Sequence, residues 1–458
     1  HYVDGWAGRL AVGGRSLLWH GVCVRIEDWA LDSWPAAVRR SLVGTSTDPG
    51  LYAAVEADLA AWTGRPLAAP RHDGEAELAS ALEAAWPSPA GAPGSVGVVP
   101  LAARGADAQA RSAAPEASSP RVGAGADSAP DVGPGLAGGA ERAYTPLRDR
   151  PELGSLAAGG SPRLLSGCRA VTLLRPAPGP YGAPGVRLAH VNGTVEDIRA
   201  RAVIVAAGAL ETTRLVARLE PSSPIRGLND HLVQGFVVRL PPGPATAALP
   251  PAAFVMRRGS ADDRSNVFIR LRPLPAGLGT LLDVWAMGEQ WPSEATRVEV
   301  VARDGHVQLA IEAGLSDDDR EVVALQRRAL HDTWRKLADV AQITGAATGA
   351  GPARPPAPLV FEGDLLANPR PFGAAAAGAG DLEAGRPVTY SWPLGTVDHE
   401  GGTLPLGDRL DEDGGLPDAP GVHVTGPATF PRPGAANPSL TTLALARRTA
   451  EAAARRLA

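Results

Sequence analysis

At 458 residues the chain exceeds the roughly 250 to 300 residues that one hydrophobic core sustains, so two or three domains are expected and a one-core module is excluded. Hydrophobic residues make up 44% and charged residues 20%, and no uncharged apolar run of about 18 residues occurs, which excludes a helical membrane span. A net charge of -5 gives no global attraction for nucleic acid or anionic lipid and leaves a small molecule as the expected partner.

The chain opens at His1 without a basic segment or an apolar segment of export-signal type, and a cytoplasmic location is expected. Within residues 1 to 30, Gly13 and Gly14 precede Ser16, Leu17, Leu18 and Trp19. This pattern fits a backbone passing close to a ligand before entering a core, or a tight turn ahead of a buried strand. Residues 50 to 64 carry apolar side chains at helical spacing and end on Gly64, which predicts a helix with a glycine stop. The chain has 54 glycines and 44 prolines, about a fifth of all residues where roughly 12% is typical. Much of that excess falls between Pro87 and Gly139, among Ala and Ser with few large apolar residues. Such a stretch cannot offset an ordering cost of roughly 1 to 2 kcal/mol per residue and is predicted to be disordered, as is a shorter one near residues 347 to 358.

Order is predicted to return at Ala143-Tyr144-Thr145-Pro146-Leu147. A β-meander follows, turning at Asn192-Gly193 and running into AVIVAAG, which reads as a central parallel strand. Gly208 then opens a helix from about Leu210. Strand, small-residue turn and helix make a geometry that lets a phosphate or a flat ring approach backbone N–H groups. Residues 232 to 312 alternate short β-like runs with Gly and Pro, predicting a second, mainly antiparallel sheet. The segment from Ser316 has an N-cap, acids in its first turn and apolar residues every three to four positions, and is expected to be a long helix. A last helix follows the turn Asn437-Pro438-Ser439. The two cysteines, Cys23 and Cys168, form no disulfide framework or thiolate zinc site and are expected to be buried hydrophobes.

Among nine histidines, His399 stands apart because it lies in the turn-rich run DHEGGTLPLG, where Gly401 and Gly402 can display a side chain to a cavity. Asn437 lies just ahead of the last helix, where it would either cap that helix, in rivalry with Ser439, or face a ligand. The acidic clusters Asp317–Asp319 and Asp411–Asp413 have no interleaved His or Cys, so a solvated face is expected and no metal. No G-x-S-x-G elbow, P-loop or CxxC occurs.

Three blocks together resemble the glucose-methanol-choline (GMC) flavin oxidoreductases: GGRSLLWHG, ARAVIVAAGALETTRLV over residues 200 to 216, and the C-terminal pair HEGGTLPLG and GVHVTGPATFPRPGAANPSLTTLALA. Within the family the resemblance is to the pyranose oxidase and bacterial glycoside oxidase branch. It implies an α/β fold, with a Rossmann-like FAD-binding domain over residues 1–30, 143–231 and 391–458. A substrate domain on a mainly antiparallel sheet would take residues 31–86 and 232–390, with the insertion over 87–142. It implies His399 as the base that takes a hydroxyl proton while hydride passes to flavin, and Asn437 as the partner that holds the same oxygen. Cofactor contacts are implied for Gly13, Gly14 and Ser16 along the flavin, and for Ala170 and Val171 at the adenine. They are implied also for Ala207 and Gly208, for Ala428, and for Pro438, Ser439 and Thr441 at the flavin pyrimidine edge.

The family's N-terminal G-x-G-x-x-G turn does not occur in these residues, so an upstream stretch or a second polypeptide is expected to supply it. The position that carries a flavin-linking His in pyranose oxidases is Leu18, so FAD is expected to be non-covalent. The family's Asp in the last phosphate-contacting block gives way to Gly426-Pro427-Ala428. The implied reaction is oxidation of a secondary hydroxyl of a sugar or glycoside, with oxygen or a quinone as electron acceptor. The competing expectation is a non-catalytic GMC-like scaffold.

Overall fold

The computed structural model describes residues 19–86, 96–104, 142–150, 164–176, 182–219, 225–243, 249–250, 252–275, 277–303, 306–340, 357–361 and 382–458. Gly13, Gly14, Ser16 and Leu18 lie outside them, as does residues 105–141 of the expected insertion. Within the described residues the helices are α1 (Asp28–Leu31), α2 (Ala36–Val43), α3 (Gly50–Thr63), α4 (Glu75–Ala85), α5 (Pro146–Asp149), α6 (Ala209–Ala217), α7 (Asp317–Val340) and α8 (Ser439–Leu457).

The centre is a six-stranded antiparallel sheet in the order β1 (Val96–Val98), β9 (Ala253–Arg257), β10 (Ser265–Pro273), β11 (Thr280–Glu289), β8 (His231–Leu240) and β14 (Val388–Ser391). Side chains alternate across it with a period of two. On the back face Phe236, Val238, Val267, Ile269, Leu282 and Val284 pack with Leu78 and Leu82 of α4 and Leu330 and Trp334 of α7. On the front face Val233, Phe254, Met256, Phe268 and Met287 join the core that contains Leu440 and Leu445 of α8. Cover on both faces explains why almost every residue of β8 is buried. The predicted capping of α7 is present: Ser316 Oγ accepts the Asp319 amide at 3.2 Å and Asp319 Oδ2 accepts the Ser316 amide at 2.8 Å.

Beside this sheet stands the meander β4 (Cys168–Leu174), β5 (Gly185–His190) and β6 (Val195–Arg199), followed by β7 (Val203–Val205). Strand β15 (Val422–Val424) pairs parallel with β7. The expected central strand therefore has one neighbour among the described residues, and Ile204 is 44% exposed. Alternation in the sequence reports an apolar strand but not how many partners it has. Strands β12 (Arg297–Arg303) and β13 (His306–Glu312) form a separate hairpin instead of joining the large sheet.

Three expectations are corrected. Residues 96–104, assigned to the disordered insertion, are ordered: β1 pairs with β9, and Val99 and Leu101 are buried. A few well-placed valines paired to a strand about 160 residues away outweigh the composition around them. Within the segment 31–86 the helices pack in two places. Helices α2 and α3 pack on α8, where Tyr52 Oη meets Thr441 Oγ1 at 2.8 Å, whereas α4 packs on the back of the large sheet. Neither Asn437 nor Ser439 caps α8, which has no side-chain cap. Cys23 is buried as expected, with its thiol pushed up to about 12 by burial, but Cys168 is only half-buried.

Candidate active site

His399 sits in a loop held on both sides by backbone pairing. Asn229 and Gly401 exchange amide–carbonyl bonds at 3.2 and 3.0 Å, and the Gly402, Leu404 and Leu406 amides donate to the carbonyls of Pro427, Ala428 and Thr429. Gly402 has φ +80°, and a Cβ there would lie 2.2 Å from Asn229 Nδ2 and 2.5 Å from the Gly227 carbonyl oxygen. Gly402→Ala combines a left-handed backbone with a contact that cannot relax, so it should cost at least about 2 kcal/mol, read as a lower urea midpoint.

The anchor of this loop is Asp230, fully buried. Its Oδ1 accepts the amides of His231 (2.7 Å) and His399 (3.1 Å), and its Oδ2 accepts the Val397 amide at 3.2 Å. Burial, followed by the nearby Glu400 charge, pushes the Asp230 carboxyl up to about 8 against the pull of those three amides. One carboxylate oxygen thus fixes the spacing of two histidine backbones. Their rings meet at right angles, with centroids 5.0 Å apart and His399 Nδ1 3.1 Å from His231 Nδ1.

Asn437 reaches His399 from a sequence 38 residues away, its Nδ2 lying 3.5 Å from His399 Nε2. Two buried acids hold the run that delivers it. Glu27 Oε2 accepts the Ala435 amide at 2.9 Å, while Asn266 bridges Glu27 Oε1 and the Ala435 carbonyl. Burial raises the Glu27 carboxyl, opposed by the Ala435 amide and Asn266. Glu289 accepts both Nε and Nη2 of Arg432 at 2.7 Å and the Gly434 amide at 3.2 Å. The Arg432 guanidinium lies between Trp29 and Trp291, 4.9 and 4.4 Å from their centroids. His399 and Asn437 are therefore brought together, as the sequence pattern implied. His231, Asp230, Glu27 and Glu289 were not foreseen; the trace left by Asp230, His231 and Glu289 is polar residues at the ends of otherwise apolar strands, in LNDHLVQG and WAMGEQW.

The other candidate residues fall at a second locus, the carboxyl ends of the parallel strands β7 and β15, where open α/β sheets bind ligands. Ala206, Ala207 and Gly208 are exposed there. Gly208 (φ +78°) and Gly426 (φ +103°) both face open space: a Cβ added at either meets no atom within 4 Å. The Thr425 hydroxyl between them is buried without a partner. Open glycine backbone, a helix start at Ala209 and an unspent hydroxyl suit a dinucleotide phosphate group. Ala428 is buried next to Gly426, and Pro438, Ser439 and Thr441 form the start of α8. The carbonyls of Ala170 and Val171 are taken by Arg214, and that of Val171 also by Arg218, at a point where the β4–β5 register shifts.

The acidic clusters are spent on local structure: Asp319 caps α7, Asp411 pairs with Arg456 and Asp413 with Arg448. Among the described residues, donor atoms of Asp230, His231 and His399 lie within 4.8 Å of one another, but the Asp230 oxygens are already engaged by three amides.

A family model described as GMC oxidoreductase matches residues 292–446. A fungal aryl-alcohol oxidase has the same fold, with a TM-score of 0.54 and 13% identity over 98% of this chain and 86% of that one. A pyridoxine 4-oxidase from Mesorbium loti aligns at 17% identity and a TM-score of 0.43 over 68% of this chain. The chain spans 62% of the length of that oxidase. A search of the curated proteins finds no match. The family match is confined to residues 292–446, and the likeness to the fungal oxidase is one of fold. No helix among the described residues is long and apolar enough to cross a membrane.

Proposed function

We propose that the chain is an FAD-dependent oxidoreductase that oxidises a secondary hydroxyl of a sugar or glycoside, with His399 as base. The observation that carries this reading is the convergence of His399 Nε2 and Asn437 Nδ2 at 3.5 Å from two separately anchored loops. A hydroxyl oxygen seated between them would give its proton to His399 Nε2 while Asn437 Nδ2–H donates to that same oxygen. The proton leaves as the C–H bond breaks, so no free alkoxide forms in an apolar site, which would cost several kcal/mol. FAD, held non-covalently over Gly208, Gly426 and Thr425 and at the start of α8, would supply the hydride acceptor. Ala170 and Val171 would lie at the adenine, and Gly13, Gly14 and Ser16, which fall outside the described residues, along the flavin. The exposed Ile204 edge of β7 is where a further strand, from an upstream stretch or a second polypeptide, would complete the parallel sheet.

The sugar reading draws on the front face of the large sheet. Trp285 and Trp392 are only half-buried there, and Trp285 stacks on Phe268 with centroids 5.2 Å apart. Farther along the same face Arg270, Asp283 and Tyr390 form a polar cluster: Asp283 accepts Arg270 Nη2 at 2.8 Å and Tyr390 Oη at 2.9 Å. Aromatic planes beside fixed polar groups suit the apolar and hydroxyl faces of a pyranose. The test is anaerobic addition of monosaccharides, glycosides or aryl alcohols to the protein supplied with FAD. Bleaching of the flavin band by a sugar or glycoside is the expected result. Bleaching by aryl alcohols alone would move the substrate to the class named for the fungal oxidase, and failure of the chain to retain flavin would overturn the reading.

A further inference from the structure

We propose that His231 is a positioning residue that selects the tautomer of His399: its Nδ1 accepts the Nδ1–H of His399 and so keeps the lone pair on His399 Nε2, facing Asn437. The inference rests on the reading of His399 as the base. It starts from the contact of two ring nitrogens at 3.1 Å, which holds one proton and not two when both rings are neutral. If His231 were the donor, His399 would carry its proton on Nε2. That N–H would then oppose the Asn437 amide donors at 3.5 Å, and no lone pair would remain where the hydroxyl proton must go. With His399 as donor, Asn437 Nδ2–H points at a lone pair and the base is ready at Nε2.

The surroundings of His231 suit an acceptor. It is 1% exposed, at the first residue of β8 and opposite Glu289 of β11, with Asp230 preceding it in the chain. Burial depresses its pKa to about 4, so its ring stays neutral at and above neutral pH. Accepting at Nδ1 places the single proton of neutral His231 on Nε2, and the Gly434 backbone favours a proton on this ring. Asp230 Oδ1 accepts the amides of both histidines, which fixes the two backbones at the spacing the ring contact needs.

A neutral acceptor differs from the carboxylate that orients histidine in Asp–His pairs. A carboxylate would favour imidazolium and load the base with a proton before substrate arrives, whereas neutral His231 orients the ring and leaves it unprotonated. The charge formed when His399 takes the hydroxyl proton is still met at Nδ1 by a hydrogen bond.

The experiment is long-range ¹H–¹⁵N spectroscopy of the full chain with ¹⁵N-labelled histidine, the His399 signal being the one lost in His399→Gln. An Nδ1–H pattern is expected in the wild type. His231→Asn, which places an amide oxygen near the former Nδ1, should keep that pattern, and His231→Leu should move it toward Nε2–H. In turnover, His231→Leu should lower kcat roughly 10- to 100-fold with KM within about twofold, and His231→Asn should recover most of the loss. An Nε2–H pattern in the wild type, or one unmoved by His231→Leu, overturns the proposal, and the wild-type spectrum decides even where a variant does not fold. Absence of alcohol-dependent flavin reduction would sink the functional reading separately, because the tautomer is read without turnover.

Discussion

With His399 replaced by glutamine, kcat for the preferred hydroxyl should fall about 1000-fold, the middle of the range for loss of a general base. Glutamine keeps a polar group near the Asp230 and His231 contacts but cannot take a proton. The circular dichroism spectrum should match the parent, because the loop is held by backbone bonds to Asn229, Pro427, Ala428 and Thr429 and by the His399 amide on Asp230. The pH profile sharpens the result. His399 acts only when unprotonated, so the parent rate should rise with pH through the histidine range and then level, and the variant should lack that rise. Full turnover in His399→Gln would remove His399 from the chemistry.

Glu289→Ala should be the most damaging change to stability, by about 3 to 5 kcal/mol, measured by urea unfolding. Glu289 is 1% exposed and is the acceptor for two Arg432 nitrogens and the Gly434 amide. Its removal strands a cation between Trp29 and Trp291 and frees the run that carries Asn437. Glu289→Gln keeps an acceptor for Gly434 and should cost less. Glu289→Gln with Arg432→Met should recover part of the loss, since an uncharged pair of similar volume leaves no buried charge. If Glu289→Ala unfolds at the parental midpoint, the ion pair does not organise the Asn437 loop.

Several elements were legible because each is set by local rules. Gly64 ends α3 in the left-handed region at φ +80°, Ser316 caps α7, and Gly208 turns β7 into α6. The order of these signals, with HEGG and ANPS near the end, was enough to pair His399 with Asn437 through a resemblance. It was not enough to show what holds them. Glu27 and Ala435 are 408 residues apart, Glu289 and Arg432 are 143 apart, and His231 and His399 are 168 apart. Each acid or histidine looks like any other polar residue until the fold buries it.

Composition misled in the same way at residues 96–104, where Gly, Ala and Pro surround a strand that β9 orders. By itself the sequence determined the helix stops and the strand alternation, because these depend on spacing along the chain, and its resemblance to a family singled out His399 and Asn437. The tertiary structure alone decided which carboxylates anchor the two loops, that β7 has one strand neighbour among the described residues, and that His399 meets a second, buried histidine. Those outcomes depend on burial and on contacts between distant segments, where removing water changes the energy of a charge or a proton far more than any local propensity does.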